Sequence, residues 1–187
     1  MSRRPPHIPQ RTPIFVGCEG ESEAAYLALL QELALANGAH VHLHIEPLTP
    51  GAGDPLARVE RAIARLDRLR GRRTPFAHTF ILLDSDQLQL NRDRADRARR
   101  AAEAAGLILI WQDPCHEALL LRHLDGRGAR RPMTSADAEQ ALQRDWPEYR
   151  KPMTRPDLRR RLDLEAVRRA GAAHDELAGL LRILGLV

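Results

Sequence analysis

Short, nearly continuous apolar segments alternate along this chain with amphipathic stretches, and that alternation limits the folds it can adopt more than any other feature. Pro13 to Cys18 (PIFVGC), His40 to Pro47, His78 to Leu83 (HTFILL) and Leu107 to Trp111 read as strands. A helix fills the first interval up to about Ala36, with Tyr26, Leu30 and Leu33 on one face and Asn37-Gly38 as its stop. In the second interval Asp54-Pro55 is an N-cap followed by proline, and Leu56, Val59, Ile63, Leu66 and Leu69 form a stripe at helical spacing. The third holds a helix from roughly Arg92 to Ala105, after which Gly106 introduces the fourth strand. Strands without polar alternation, separated by helices, belong in a mostly parallel sheet covered on both faces. The expected architecture is therefore α/β, with a central sheet of about four strands flanked by helices.

Beyond the last strand, Asp113-Pro114 repeats the N-cap-plus-proline signal and opens a helix carrying Glu117 and Leu119 to Leu121. Further helices are predicted near Ser135–Arg144, Pro156–Ala170 and Asp175–Leu184, a helical extension beginning at about residue 132. Residues 1–12, basic and Pro-rich, read as a flexible arm, and 13–187 as a single domain, a length that can bury a core without disulfides. With aromatics at only 4%, aliphatic side chains must fill that core. The two cysteines, Cys18 and Cys115, are too few for a disulfide framework and read as buried free thiols. With no apolar run long enough to span a bilayer and no secretory signal at the N-terminus, a cytoplasmic protein without a membrane partner is expected.

In a parallel sheet the ligand site lies beyond the carboxyl ends of the strands, and that is where the acids fall. Glu19 follows the first strand, Asp84 and Asp86 the third, and Asp113 the fourth, with Glu117 one helical turn later and Glu23 four residues after Glu19. Crowded carboxylates stay charged only if cations bind or some take up protons. Hard cations such as Mg²⁺ bind such oxygens and leave positions open for phosphate, which suits metal-assisted phosphoryl chemistry. Each acid also has a plainer reading. Asp-x-Asp after a strand serves as a helix N-cap and solvated loop, and Glu23 complements a helix dipole. Glu117 could be an ordinary helix residue, and Asp113 is read as an N-cap outside the site. Glu19, Asp84 and Asp86 together are the part that the plainer readings explain least.

The segment Val16 to Leu27 (VGCEGESEAAYL) resembles the opening motif of RloB-like proteins. Asp113 to Leu124 (DPCHEALLLRHL) is similar to the second motif of that family, usually Asn-Pro-Cys-Phe-Glu before a Leu-rich helix, from which it departs at Asp113, His116 and Ala118. Tyr149-Arg150-Lys151 is similar to a third, Tyr-x-Lys, and with Asp84-Ser85-Asp86 the resemblance runs from about residue 14 to about residue 171. RloB-like proteins are placed with the Toprim fold of topoisomerases, bacterial primases and OLD-family nucleases. The resemblance implies Glu19 as a metal ligand or general acid–base group, and Asp84 and Asp86 as Mg²⁺ or Mn²⁺ ligands. It further implies Glu23 as ligand to a second metal and Glu117 as a further acidic ligand. It implies a metal-dependent nuclease acting on DNA or RNA, in a restriction or phage-defence setting.

Lys151 is the sole lysine in a chain that otherwise uses arginine, and an ammonium there could stabilise charge near a scissile phosphate or merely sit on a solvated loop. Arg58, Arg61, Arg65 and Arg68 line one face of the second helix, with Arg70, Arg72 and Arg73 beyond them. They form either a phosphate-backbone track or a solvated face. The net charge of +4 permits a polyanionic partner without demanding one. His40, His42 and His44 alternate along the second strand and read as a polar face near a sheet edge rather than a metal site. No Gly-x-x-x-x-Gly-Lys loop occurs, so any nucleotide-driven activity would need a partner ATPase. The competing class is a non-catalytic module that uses the fold to bind nucleic acid or a partner protein.

Overall fold

The computed structural model describes residues 10–49, 54–71, 75–88 and 92–187; most of the predicted N-terminal arm, and Arg72 and Arg73, lie outside these. The strands are β1 (Thr12–Cys18), β2 (Val41–Pro47), β3 (His78–Asp84) and β4 (Ile108–Gln112). The helices between them are α1 (Glu21–Ala36), α2 (Pro55–Leu69) and α3 (Arg92–Ala104). They are followed by α4 (His116–His123), α5 (Ser135–Asp145), α6 (Arg155–Arg159), α7 (Leu164–Ala172) and α8 (Asp175–Ile183). The four strands form one sheet in the order β2-β1-β3-β4, and every pairing is parallel.

Alternation within the apolar strands sorts the core into two layers. Ile14, Val16, Phe80, Leu82 and Ile110 face α1, α4 and the C-terminal helices. Phe15, Ile81 and Leu83 face α2 and α3. Both faces are covered, so polar alternation is not needed, and each fully buried Leu or Ile contributes roughly 1.5–3 kcal/mol. Gly17 is required by close approach: a Cβ there would stand 2.8 Å from Leu48 Cδ1, in the layer that α2 covers. The C-terminal helices are tied to the sheet by specific polar contacts. His174 caps α8, and its Nε2 bonds the Trp111 carbonyl at 2.6 Å. The Arg169 guanidinium on α7 donates to the His123 carbonyl at the end of α4.

Helix starts follow the capping chemistry with two corrections. Asp54 accepts from Leu56 N at 3.0 Å and opens α2 as expected. Asp113, by contrast, is not an N-cap: Cys115 holds that position for α4, and the Asp113 carboxylate accepts from Ser85 Oγ at 2.9 Å. The predicted helix over Pro156–Ala170 is two helices. Asp163 accepts from Ala166 N at 2.8 Å and starts α7 afresh, so that Leu158 and Leu162 pack before the chain changes direction. His42 and His44 lie on β2, one edge strand of the sheet, with His40 just before it, and Val41 and Leu43 between them are buried.

Candidate metal and phosphate site

The chain leaves β1 to make α1 and β2 on one side, then crosses β1 to continue with β3 and β4 on the other. The strand order therefore reverses between β1 and β3, and in open sheets of this kind the crevice beyond the carboxyl ends of the strands at such a switch point is where ligands bind. Glu19 is the first residue after β1, and Asp84 is the last of β3. They meet directly, the backbone N–H of Asp84 donating to Glu19 Oε1 at 2.8 Å. The loop after Asp84 is pinned to the end of β4, because Ser85 N and Asp86 N both donate to the Pro114 carbonyl, at 3.0 and 3.1 Å. Glu23 enters from the first turn of α1 and Glu117 from the first turn of α4, and both are buried.

Three of the carboxylates hold different partners. Glu19 Oε2 pairs with Arg58 at 2.8 Å, and the same guanidinium donates to the Glu19 carbonyl at 3.2 Å. Glu117 Oε1 accepts from Tyr149 Oη and Lys151 Nζ, both at 2.8 Å. Asp86 Oδ2 accepts from Ser135 Oγ at the start of α5, at 2.8 Å. Asp84 Oδ1, by contrast, is buried and among the described residues has no hydrogen-bond partner.

These surroundings set the proton affinities. Asp84 is pushed up to about 9 by burial first, and then by the negative charges of Glu19, Glu23, Asp86 and Glu117. Glu19 is also raised by burial, which outweighs the Asp84 N–H and the Arg58 charge that hold it down. Glu117 goes the other way: burial would raise it, but the hydrogen bonds from Lys151 and Tyr149 win and hold it at about 2. Burial keeps the Cys18 and Cys115 thiols up at about 12, consistent with inert core cysteines.

Glu19, Glu23, Asp84, Asp86 and Glu117 thus come to one crevice, and Lys151 reaches it through Glu117 although Lys151 is itself largely exposed. Of the arginines on α2, Arg58 is buried in the crevice, Arg61 donates to the Thr49 carbonyl at 2.8 Å, and Arg65 pairs with Glu46 at 3.0 Å. Arg68 is exposed further along the helix. Sequence reasoning missed Arg58 as the partner of Glu19. It also passed over the buried Gln112–His116 pair, whose Nε2 and Nδ1 are 2.6 Å apart at the foot of α4. The position of His116 beside Glu117 was the available signal.

The residues fit a hard cation in their chemistry: oxygen donors are crowded together, one buried carboxylate oxygen has no partner, and Asp84 holds a proton that a cation could replace. Among the described residues, however, no group of three or more His, Cys, Asp and Glu stands closely enough to be a ready-made metal cage. No described helix is long and apolar enough to cross a membrane. In comparisons with known proteins, the profile of the RloB-like protein family matches residues 14–179. No curated protein and no solved structure shows a significant match.

Proposed function

The chain belongs to the RloB-like protein family, and on that premise we propose that it is a Mg²⁺- or Mn²⁺-dependent nuclease that hydrolyses phosphodiester bonds of DNA or RNA. The observation that carries this reading is the end of β1 and β3, where Asp84 Oδ1 is buried among four other carboxylates and has no partner among the described residues. Asp84 and Asp86 are the proposed metal ligands with Glu19, assisted by Glu23 and Glu117. A divalent ion bound there would supply Lewis-acid polarisation and neutralise charge developing on the phosphate.

The side chains of the site then divide the work. Glu19 is oriented by Arg58 and the Asp84 N–H and is placed to hold or move a proton at Oε1 or Oε2. Lys151, kept cationic by its hydrogen bond to Glu117, faces the phosphate or the leaving oxygen. The nucleic-acid track proposed for Arg58, Arg61, Arg65 and Arg68 leads away from the site along α2, rising roughly 1.5 Å per residue. Arg58 and Arg65 are committed to Glu19 and Glu46, whereas Arg61, which donates only to the neutral Thr49 carbonyl among the described residues, and exposed Arg68 keep their charge for outer phosphate contacts. A role in restriction or phage defence, with a partner ATPase or another defence component, follows from the family resemblance alone.

The test is calorimetric titration of Mn²⁺ into wild type and Asp84→Ala/Asp86→Ala, followed by cleavage assays on single- and double-stranded DNA and RNA. Metal affinity in the double variant should fall by more than the roughly 10–100-fold that losing an outer-shell partner costs, and cleavage with it. One observation favours a second reading, a non-catalytic module that binds nucleic acid or a partner. Glu19, Glu117 and Asp86 already hold protein donors, and among the described residues no cage stands ready. Wild type that binds no Mn²⁺, with or without nucleic acid present, would decide for that module.

A further inference from the structure

Beside the acidic crevice lies a cavity of about 470 Å³, walled by Ser85 from the loop after β3, Arg92, Asp96 and Arg99 from α3, and Trp111 and Asp113 from the end of β4. Its size is that of a small-molecule pocket. Ser85 joins it to the crevice, standing between Asp84 and Asp86 in the chain and donating to Asp113 Oδ1 at 2.9 Å.

Trp111 distinguishes this cavity from the rest of the surface. Of the phenylalanine, tyrosine and tryptophan rings, only Phe76 and Trp111 are not buried, and Phe76 precedes β3, at the sheet edge away from the acids. One side of Trp111 packs on the apolar layer under α2 and α3, and the Arg99 guanidinium lies 5.7 Å from the ring centroid. Van der Waals contact between stacked groups needs about 3.5–4 Å, and a planar ring inserted between two others needs about twice that. At 5.7 Å Arg99 already makes a loose cation–π contact with Trp111, and a further movement of about 1–2 Å would admit a flat aromatic ring between them. Arg99 is half exposed, and among the described residues its guanidinium pairs with Asp96 on its own helix, at 3.0 Å, besides lying over Trp111, so such a movement breaks no core packing. The carboxylates of Asp96 and Asp113 are acceptors for exocyclic amino groups, and Arg92 adds a cation for a neighbouring phosphate.

We propose that this cavity is a nucleobase subsite, in which a base next to the phosphate at the acidic crevice stacks on Trp111 beneath Arg99. The proposal rests on the nuclease reading for its neighbouring phosphate, but base stacking itself needs no metal. It gives the chain a means of gripping an unpaired base, and so favours single-stranded DNA or RNA, or a base turned out of a duplex, at the position of the scissile bond.

The experiment uses the full chain carrying Trp146→Phe, which leaves Trp111 as the sole tryptophan, in EDTA. Short single-stranded DNA and RNA oligoadenylates are titrated while Trp111 emission is followed, with inorganic polyphosphate as the polyanion that has no bases. Oligoadenylate should quench Trp111 and polyphosphate should not. Anisotropy of a labelled oligoadenylate with otherwise wild-type protein provides a second reading that does not depend on the Trp146 substitution. There Arg99→Ala should weaken binding about 5- to 100-fold, the range expected for losing one stacked partner, while Arg182→Ala on α8 leaves it unchanged. Absence of quenching by oligoadenylate, equal quenching by polyphosphate, or equal losses in Arg99→Ala and Arg182→Ala would each overturn the subsite. Quenching that persists in Asp84→Asn while no nucleic acid is cut by the wild type keeps the subsite and removes the nuclease. Asp84-dependent cleavage without any quenching does the reverse.

Discussion

Arg58 shows how one side chain can be legible as a type and not as a role. On α2 it stands in register with Arg61, Arg65 and Arg68, and an arginine on an amphipathic helix reads the same whether it meets water or a carboxylate 39 residues away in the chain. In the fold it is buried against Glu19, with side chains only 8% and 16% exposed respectively. Removing one partner of such a pair strands the other, so Arg58→Ala should cost about 2–4 kcal/mol in urea denaturation. Arg58→Ala/Glu19→Gln should recover at least half of that, and additive losses in the double variant would show that the pair is not coupled. Asp84 carries the opposite strain. Its folded-state affinity for a proton, at about 9 against the ordinary 3.8, means that the folded chain binds an extra proton between those values and loses stability as pH rises through them. Asp84→Asn should therefore be more stable than wild type in EDTA. The gain is expected to be small near pH 4, to grow with pH, and to reach on the order of 1–3 kcal/mol by about pH 9. Urea midpoints across that range check the sign, and a gain that shrinks with pH would contradict it. The acids themselves could be read from the chain, because a carboxylate directly after an apolar strand has few places to go. Their partners could not, since Tyr149 and Lys151 reach Glu117 from 32 and 34 residues away.

Elements were recovered from local chemistry wherever that chemistry was unambiguous, and lost where two local rules competed. Asp54-Pro55 and Asp113-Pro114 carry the same dipeptide signal, yet only the first caps a helix. At the second, Asp113 is taken by Ser85, which fastens the loop bearing Asp84 and Asp86 to the end of β4. A long-range hydrogen bond thus overrides a local preference at the place where the site needs rigidity. The break between α6 and α7 is a competition of the same kind. Leu158, Leu162, Ala166, Val167 and Ala170 keep a helical spacing across it, so the apolar pattern continues while the backbone does not. Asp163 decides the matter by capping Ala166 N. Asp163→Ala should destabilise the chain by about 1 kcal/mol, the usual cost of an N-cap, and Asp163→Asn by much less. Thermal denaturation of both variants separates the cap from a mere charge effect, because equal losses would point to the charge.

At the scale of the whole molecule, alternation was enough to foresee a parallel sheet with helices on both faces, but not the order of its strands. That order matters for function. Only with β1 and β3 adjacent do Glu19 and Asp84 meet, and only with β4 beside β3 does the Trp111 cavity share Ser85 with the acidic loop. The sheet carries electrostatic strain at this one edge, where desolvated acids repel one another and Asp84 answers by holding a proton. A cation that binds the folded chain and not the unfolded one relieves that strain and stabilises the molecule by mass action, about 2.7 kcal/mol at a hundredfold excess over Kd. For a chain of this length that is a rise in melting temperature of about 5–10 °C. Because the Asp84 proton must leave as the ion enters, the rise should be larger at about pH 8.5 than at about pH 6. Melting curves with and without Mg²⁺ or Mn²⁺ at the two pH values read both effects together. Asp84→Ala/Asp86→Ala should lose the metal-dependent rise and, with it, the pH dependence. If instead the double variant gains as much from the ion as wild type does, the cation binds elsewhere. The crevice would then be an acidic edge held together by Arg58, Lys151 and a shared proton rather than a metal site.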